Sequence, residues 1–258
     1  MSRALRRYLA PALVFVAVLA LWELFVRAAG IQGFLLPPPS EVVRTVSEEW
    51  PVVWPAGLFT LREALGGLFG GTIAGIAVAF AVSRWSTIRV GIQPLAVAAG
   101  SAPIIALAPI TNQWFGITNP VSKMAVVAVM VFFPIMLNMV RGLTDVGGAK
   151  VELMSSLAAP DFMTLWKVRL PNSLPYLLSA LRVAVALSLI GAVVTEYFGG
   201  SRDALGVYIS QQAGLTRMAE AWAGIVVATL LGAGLQLLVM GAERALIPWH
   251  PSRRLTLA

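Results

Sequence analysis

Residues 64–83 carry no ionisable group, and neither do residues 90–122. Uncharged stretches of this length give a helix nothing with which to face water. About 20 mostly apolar residues are also what a helix needs to cross a bilayer. Further apolar runs lie at about residues 8–25, 121–140, 175–197 and 221–246. The chain is 58% hydrophobic and only 12% charged, against roughly 45–50% and about 25% in soluble domains. So few polar groups cannot coat a water-exposed surface. The expectation is an all-α integral membrane protein with about six transmembrane helices, folded as one membrane domain over residues 1–258 with no separate soluble domain.

Prolines and glycines subdivide these runs. The 90–122 stretch is too long for one span, and Pro94, Pro103 and Pro109 interrupt it. A helix over about 90–110, a turn at 116–120 and a fourth helix over 121–140 are predicted. Backbone groups freed by proline at membrane depth must be satisfied by protein or by a watery cavity, so the third helix is expected to face the interior. Gly67, Gly71 and Gly75 form a small-xxx-small ladder that lets another helix come close. Packing within the chain is the simpler use of it, and a contact between two copies is the other. The first run follows Arg3, Arg6 and Arg7, as a signal peptide would, but is read as a retained helix.

The formal net charge is +7. The basic residues sit between apolar segments, with no lysine-rich run, so they are read as orienting the helices and not as a nucleic-acid surface. With the N-terminus in the cytoplasm, inside segments carry Arg3, Arg6, Arg7, Arg84, Arg89, Arg141, Lys150, Lys167, Arg169, Arg244, Arg253 and Arg254. The outside then has Arg27, Arg44, Arg62, Lys123, Arg202 and Arg217. This places both termini and the polar segment 141–174 in the cytoplasm. The absence of cysteine excludes a thiol nucleophile and a thiolate metal site, and the lone His250 cannot make a metal centre. No phosphate-binding G-x-x-x-x-G-K-[ST] loop is present. The chain is read as a non-enzyme, with no cofactor of its own.

Segment 141–174 is the polar exception. Residues 152–157 form one short helical stretch. Pro160 and Asp161 mark a turn, with Asp161 the expected N-cap. Phe162, Leu165 and Trp166 follow at the spacing of one helix face, and Pro171 closes that second helix. An exposed apolar–aromatic face suits a groove on another protein or the surface of a bilayer.

Residues 152–171 resemble the cytoplasmic coupling loop of binding-protein-dependent ABC importer permeases, whose pattern is E-A-A, three residues, G, nine residues, I, one residue, L-P. Glu152 takes the Glu place, Val168 the Ile place, and Leu170 with Pro171 the closing pair. Leu153 and Met154 replace the two alanines and Ala158 replaces the glycine, which weakens the tight turn there. Permeases of the nitrate, sulfonate and taurine type are resembled more widely, through "LLPPPSEV" at 35–42, "APIIALAPITNQWFGI" at 102–117, "VFFPIMLNMVRGL" at 131–143, "LPNSLPYLLSALRVA" at 170–184 and "EYFGG" at 196–200. The resemblance implies the type I importer permease fold in the cell membrane. It implies a second permease subunit (a homodimer), two cytoplasmic ATPase subunits that hold ATP and magnesium, and an external solute-binding protein. Glu152, Ala158, Asp161, Phe162, Leu165, Trp166, Val168, Leu170 and Pro171 would then meet the ATPase.

A solute path should be lined by polar or small residues. Ser101, Gln93, Asn138, Ser188 and Thr195 are the candidates, followed by Asn112, Gln113 and Ser179. Arg182, within the fifth helix, is expected to be structural. Glu196, at its outer end, is expected to pair with Arg62 or else to face the binding protein. The solute would be a nitrate-, sulfonate- or taurine-like anion, or a pyrimidine-, riboflavin- or vitamin-precursor-like molecule. The alternative is an ion-coupled secondary transporter. It would want a carboxylate at mid-membrane and an internal repeat, and neither is visible.

Overall fold

A computed structural model describes residues 3–247, without the side chains of residues 3–8, 86–90 and 93. His250, Arg253 and Arg254 lie outside the described residues. So do the side chains of Arg3, Arg6, Arg7, Arg89 and Gln93.

The described residues form helices and no strand. In order they are α1 (Arg3–Ala28), α2 (Pro39–Ser83), α3 (Ser86–Gly100), a 3-10 turn (Ile104–Leu107), α4 (Ala108–Phe115), α5 (Pro120–Thr144), α6 (Gly148–Ser156), α7 (Asp161–Thr164), a π turn (Leu165–Arg169), α8 (Leu170–Glu196), α9 (Leu205–Gly214) and α10 (Met218–Leu246). Five helices are long and apolar enough to cross a membrane, or six if the bent pair formed by α3 and α4 counts as one span. That matches the expected fold class.

Three elements differ from expectation. α2 starts at Pro39, runs through Pro51 and Pro55, and reaches 45 residues, about 68 Å at 1.5 Å per residue. Pro39 sits at the first helical position behind an extended Pro38, where its missing N–H costs nothing. Val53, Ala56 and Thr60 are buried along the same helix, so tertiary packing carries it past the two interior prolines. Pro171 does not close a second short helix. The chain continues from Asp161 through the π turn into α8 as a single helical run to Glu196. In the widened turn the Leu170 N–H reaches back to the Leu165 carbonyl. This wider turn comes directly before Pro171, whose ring would clash in a regular turn. α9 was not expected at all.

The prolines of the third span do break it. Segments Pro94–Gly100 and Ile104–Phe115 are bent by 70° across Ser101–Pro103. Gly116, at φ +96°, ends α4. The Asn119 side chain then accepts from the Val121 N–H and caps α5.

α2, α5 and α8 make the centre. The glycine ladder is spent on packing within the chain, against α5. A Cβ at Gly67 would come 2.8 Å from the Met124 carbonyl oxygen, and one at Gly75 would come 3.0 Å from that of Phe132. At Gly71 it would run into the Ala128 backbone. Two apolar clusters lie along this contact. One includes Ala64, Val127, Val131, Ala184 and Leu205. The other, toward the 141–174 end, includes Ala79, Val82, Met136, Met139 and Leu143. Gly71→Ala is expected to destabilise the chain by about 1–3 kcal/mol through overpacking. Gly70→Ala, whose Cβ would meet only Ala128 Cβ at 4.0 Å, should leave the thermal unfolding midpoint in detergent unchanged.

Candidate coupling segment and translocation face

The 141–174 segment folds as two short helices joined by a tight reversal. α6 ends with the Ala158 N–H on the Ser155 carbonyl at 2.9 Å and the Ala159 N–H on the Met154 carbonyl at 3.0 Å, a glycine-type helix ending. Ala158 stands at φ +49°. The turn that its side chain was expected to weaken is therefore kept, with an L-residue in left-handed backbone, at a penalty of roughly 1–2 kcal/mol. Ala158→Gly is expected to stabilise this loop by up to about 1 kcal/mol, seen as slower proteolysis between residues 156 and 162.

Asp161 is not the N-cap. Pro160 holds that place with no side-chain cap, and Asp161 pairs with Arg84 at the end of α2, 3.0 Å away. Both partners are well exposed, so the pair orients α7 more than it stabilises it. Of the three residues expected on one face, Phe162 and Trp166 point outward, 69% and 55% exposed, with ring centroids 5.9 Å apart. Leu165 turns inward with Leu170 onto the Met139–Leu143 cluster, because the π turn rotates the register after Thr164. Leu153 and Leu157 of α6 are exposed as well, as is Glu152, while Val168 and Pro171 are half-buried. An apolar, aromatic surface thus stands off the bundle, and Leu165 and Leu170 root it in the core.

The path candidates divide. Ser101 is exposed at the helix break, its hydroxyl donating to the Val97 carbonyl at 2.9 Å. Asn138 is half-buried and its amide nitrogen donates to the Pro134 carbonyl at 2.8 Å. Ser188 and Thr195 are buried between helices of this chain, with their hydroxyls on the carbonyls of Val185 and Gly191. Gln113 and Ser179 are exposed. Beside the break, Gly100, Ala102, Pro103, Met130 and Leu187 line a cavity of about 280 Å³. Arg182 forms an ion pair with Glu243 of α10, the structural role expected of it.

The end of the bundle away from the coupling segment holds a cluster that the sequence reading missed. Glu196 pairs with neither Arg62 nor the exterior. It accepts from Thr60 Oγ1 at 2.7 Å and from the Gly206 N–H at 2.6 Å, and Thr60 in turn accepts from the Leu205 N–H at 2.9 Å. These side chains cap α9, whose own N-cap residue, Ala204, supplies none. Lys123 was expected at the outer end of the fourth helix as a surface charge, but it is 1% exposed. It donates to Asn112 Oδ1 at 2.9 Å and to the Ile117 carbonyl. Asn112 is thereby structural, its amide nitrogen also donating to the Phe198 carbonyl. Glu63 is buried in α2, just before the charge-free run 64–83 that was expected to form the span. It lies one bilayer thickness from Ser83, about 30 Å, and so at the margin of the membrane. Thr60, Glu63 and Gly67 share one face of α2. That spacing was the available sign that they point inward; Arg62, next in sequence, points away and is exposed.

Residues 71–249 match the model of the binding-protein-dependent transport system inner membrane component family. The chain belongs to this family. It is the permease component of an ABC importer, and it works with an ATPase and a solute-binding protein. Its relatives include the formylaminopyrimidine transport permease ThiX of Halalkalibacterium halodurans, 31% identical over 94% of this chain and 96% of that one. The riboflavin transport system permease RibX of Chloroflexus aurantiacus is 28% identical over 97% and 95%. The taurine transport system permease TauC of Escherichia coli is 26% identical over 90% and 86%. A crystal structure described as an amino acid ABC transporter with histidines shares the fold at a TM-score of 0.61 and 15% identity, covering 77% of this permease and 96% of that chain.

Removing a buried charge from the permease and removing an exposed one should differ sharply. Lys123→Met removes the buried donor to Asn112 Oδ1 and to the Ile117 carbonyl and is expected to destabilise by about 1–3 kcal/mol. Arg84→Ala breaks an exposed pair and should stay within about 1 kcal/mol. Denaturation of the two variants in detergent measures both.

Proposed function

We propose that two copies of this chain form a path for a small solute, and that segment 141–174 seats in a cleft of a cytoplasmic ATPase that opens and closes the path. The observation that carries this reading is the exposed Phe162–Trp166 pair on a helix continuous with the spanning helix α8. Partner subunits bind ATP and magnesium and hydrolyse the nucleotide; this chain performs no chemistry. Glu152, Ala158, Asp161, Val168 and Pro171 shape the docking surface, and Leu165 and Leu170 transmit its displacement to α5. The excess of Lys and Arg in segments 1–7, 84–89, 141–169 and 244–254 over the opposite loops supports cytoplasmic termini. The burial of Lys123 removes one of the charges assigned to the other side.

The path runs by the break in the third span, where Ser101 is open and Asn138 lies on the neighbouring α5; Gln93 belongs to the same helix as the break. Ser188 and Thr195 hold α8 together behind it. Solutes named for the relatives range from an aminopyrimidine and riboflavin to taurine. A path of mostly apolar and hydroxyl groups suits that range, with selection left to the binding protein. The solute is accordingly a small polar molecule or anion of one of these classes.

The paired change Phe162→Glu with Trp166→Glu is expected to weaken ATPase binding about tenfold or more, as removal of buried aromatic anchors does, while the chain still elutes as a folded species. Co-purification of the ATPase and solute-stimulated hydrolysis measure it. An intact, active complex would overturn the docking assignment.

A further inference from the structure

Segment 141–174 leaves α5 at Asp145 and rejoins the bundle at the start of α8, and its two ends are built differently. At the α8 end the chain is one helical run from Asp161 to Glu196, so a push there enters α8 directly. At the α5 end, residues 145–147 are not helical and Gly148 follows Gly147. A Cβ at either glycine would meet nothing within 4 Å. Two unpacked glycines give the backbone its greatest freedom, and no residue of α6 is buried against the bundle. A displacement of α6 is therefore lost at this link before it reaches α5.

The end of α5 is held instead from α8. The two backbones touch: a Cβ at Gly142 would come 2.7 Å from Ser173 Cα. The Asn172 amide nitrogen donates to the Gly142 carbonyl at 2.9 Å and to the Asp145 carbonyl at 3.1 Å. A side-chain amide carries two N–H groups, and both are used. α5 ends at Thr144, and the last carbonyls of a helix have no partner within it. Asn172 thus caps α5 from α8. One turn on, the Tyr176 hydroxyl donates to the Asp145 carboxylate at 2.8 Å.

Leu165 and Leu170 also pack toward α5, but apolar contact has no direction. It resists a push without resisting a slide or a pull. Hydrogen bonds weaken steeply when bent, so two from one planar amide fix the register and make α5 follow α8 both ways. We propose that Asn172 is the positioning residue that couples α5 to α8, so that the two spans move as one when the ATPase displaces the segment, a role that rests on the docking proposed above.

The chain contains no cysteine, so one spin label can be placed on each of two copies in the full complex with the ATPase. Arg141→Cys reports on α5 and Ser179→Cys on α8, both at exposed positions. Pulsed electron–electron resonance measures the distance between copies without nucleotide and with ADP–vanadate. With Asn172 in place, both distances are expected to change. Asn172→Leu should leave the α8 change intact and lower the fraction of complexes in which α5 has moved about fivefold or more, the effect on an equilibrium of losing two such bonds. An α5 change that survives Asn172→Leu overturns the role of Asn172 and leaves the docking standing. Loss of both changes in that variant makes Asn172 a general structural support and also overturns its role. If neither distance changes with Asn172 in place, the docking fails and this role with it. Should Asn172→Leu not fold, Asp145→Cys with Tyr176→Cys, bridged by a bismaleimide, tests the same joint with Asn172 present. Bridging is expected to leave ATP hydrolysis by the complex unchanged, because the joint stays closed throughout the cycle. Arrest of hydrolysis on bridging would mean that the joint opens, and would overturn the proposal.

Discussion

The close approach of α2 to α5 is what the rest of the chain hangs on. In lipid, no hydrophobic force draws two apolar helices together, so association rests on van der Waals packing and on the few polar contacts available. Gly67, Gly71 and Gly75 remove the side chains that would hold the helices apart, and the backbone of α5 fills the space. With α2 seated, α5 presents its other buried residues to α8, and both apolar clusters form along the same seam.

The two ends of this seam are built from opposite chemistry. At the far end, Thr60, Lys123 and Glu196 are buried and bonded across α2, α4, α5, α8 and α9. Such a cluster resists any motion that would pull one of those helices out, since a buried carboxylate left alone is costly. At the coupling end, the one ion pair tying α7 to α2 is exposed and weak, and the large side chains face outward. One end is made to hold its shape and the other to meet another protein. Because α7, the π turn and α8 are one helical run, force applied at Phe162 and Trp166 enters a spanning helix without crossing a flexible loop. Among the described spans, the conspicuous interruption is the 70° break at Ser101–Pro103, which puts irregular backbone beside a cavity, the setting in which bilayers tolerate it.

Much of this was legible in the residues. Charge-free runs located the spans, Pro94, Pro103 and Pro109 marked the third span as interrupted, with only Pro103 at the break itself, and the spacing from Glu152 to Pro171 marked the coupling segment. The misreadings share a cause. Pro171 was taken as a helix boundary because an isolated helix would end there, and a π turn carried the helix past it. Glu63, Lys123 and Glu196 were read as absent from the spans or as surface charges, because a sequence gives each charge its intrinsic preference for water and not its partners.

The sequence alone determined that this chain lives in a bilayer, how many times it can cross, and which segment stays polar. Those properties follow from local composition, since each stretch of about 20 residues either can or cannot face hydrocarbon. Only the tertiary structure decided which charges are buried, where α2 and α8 truly begin, and which of Phe162, Leu165 and Trp166 face outward. These depend on neighbours distant in sequence, such as Thr60 and Glu196, whose contacts have no trace in the residues flanking either one.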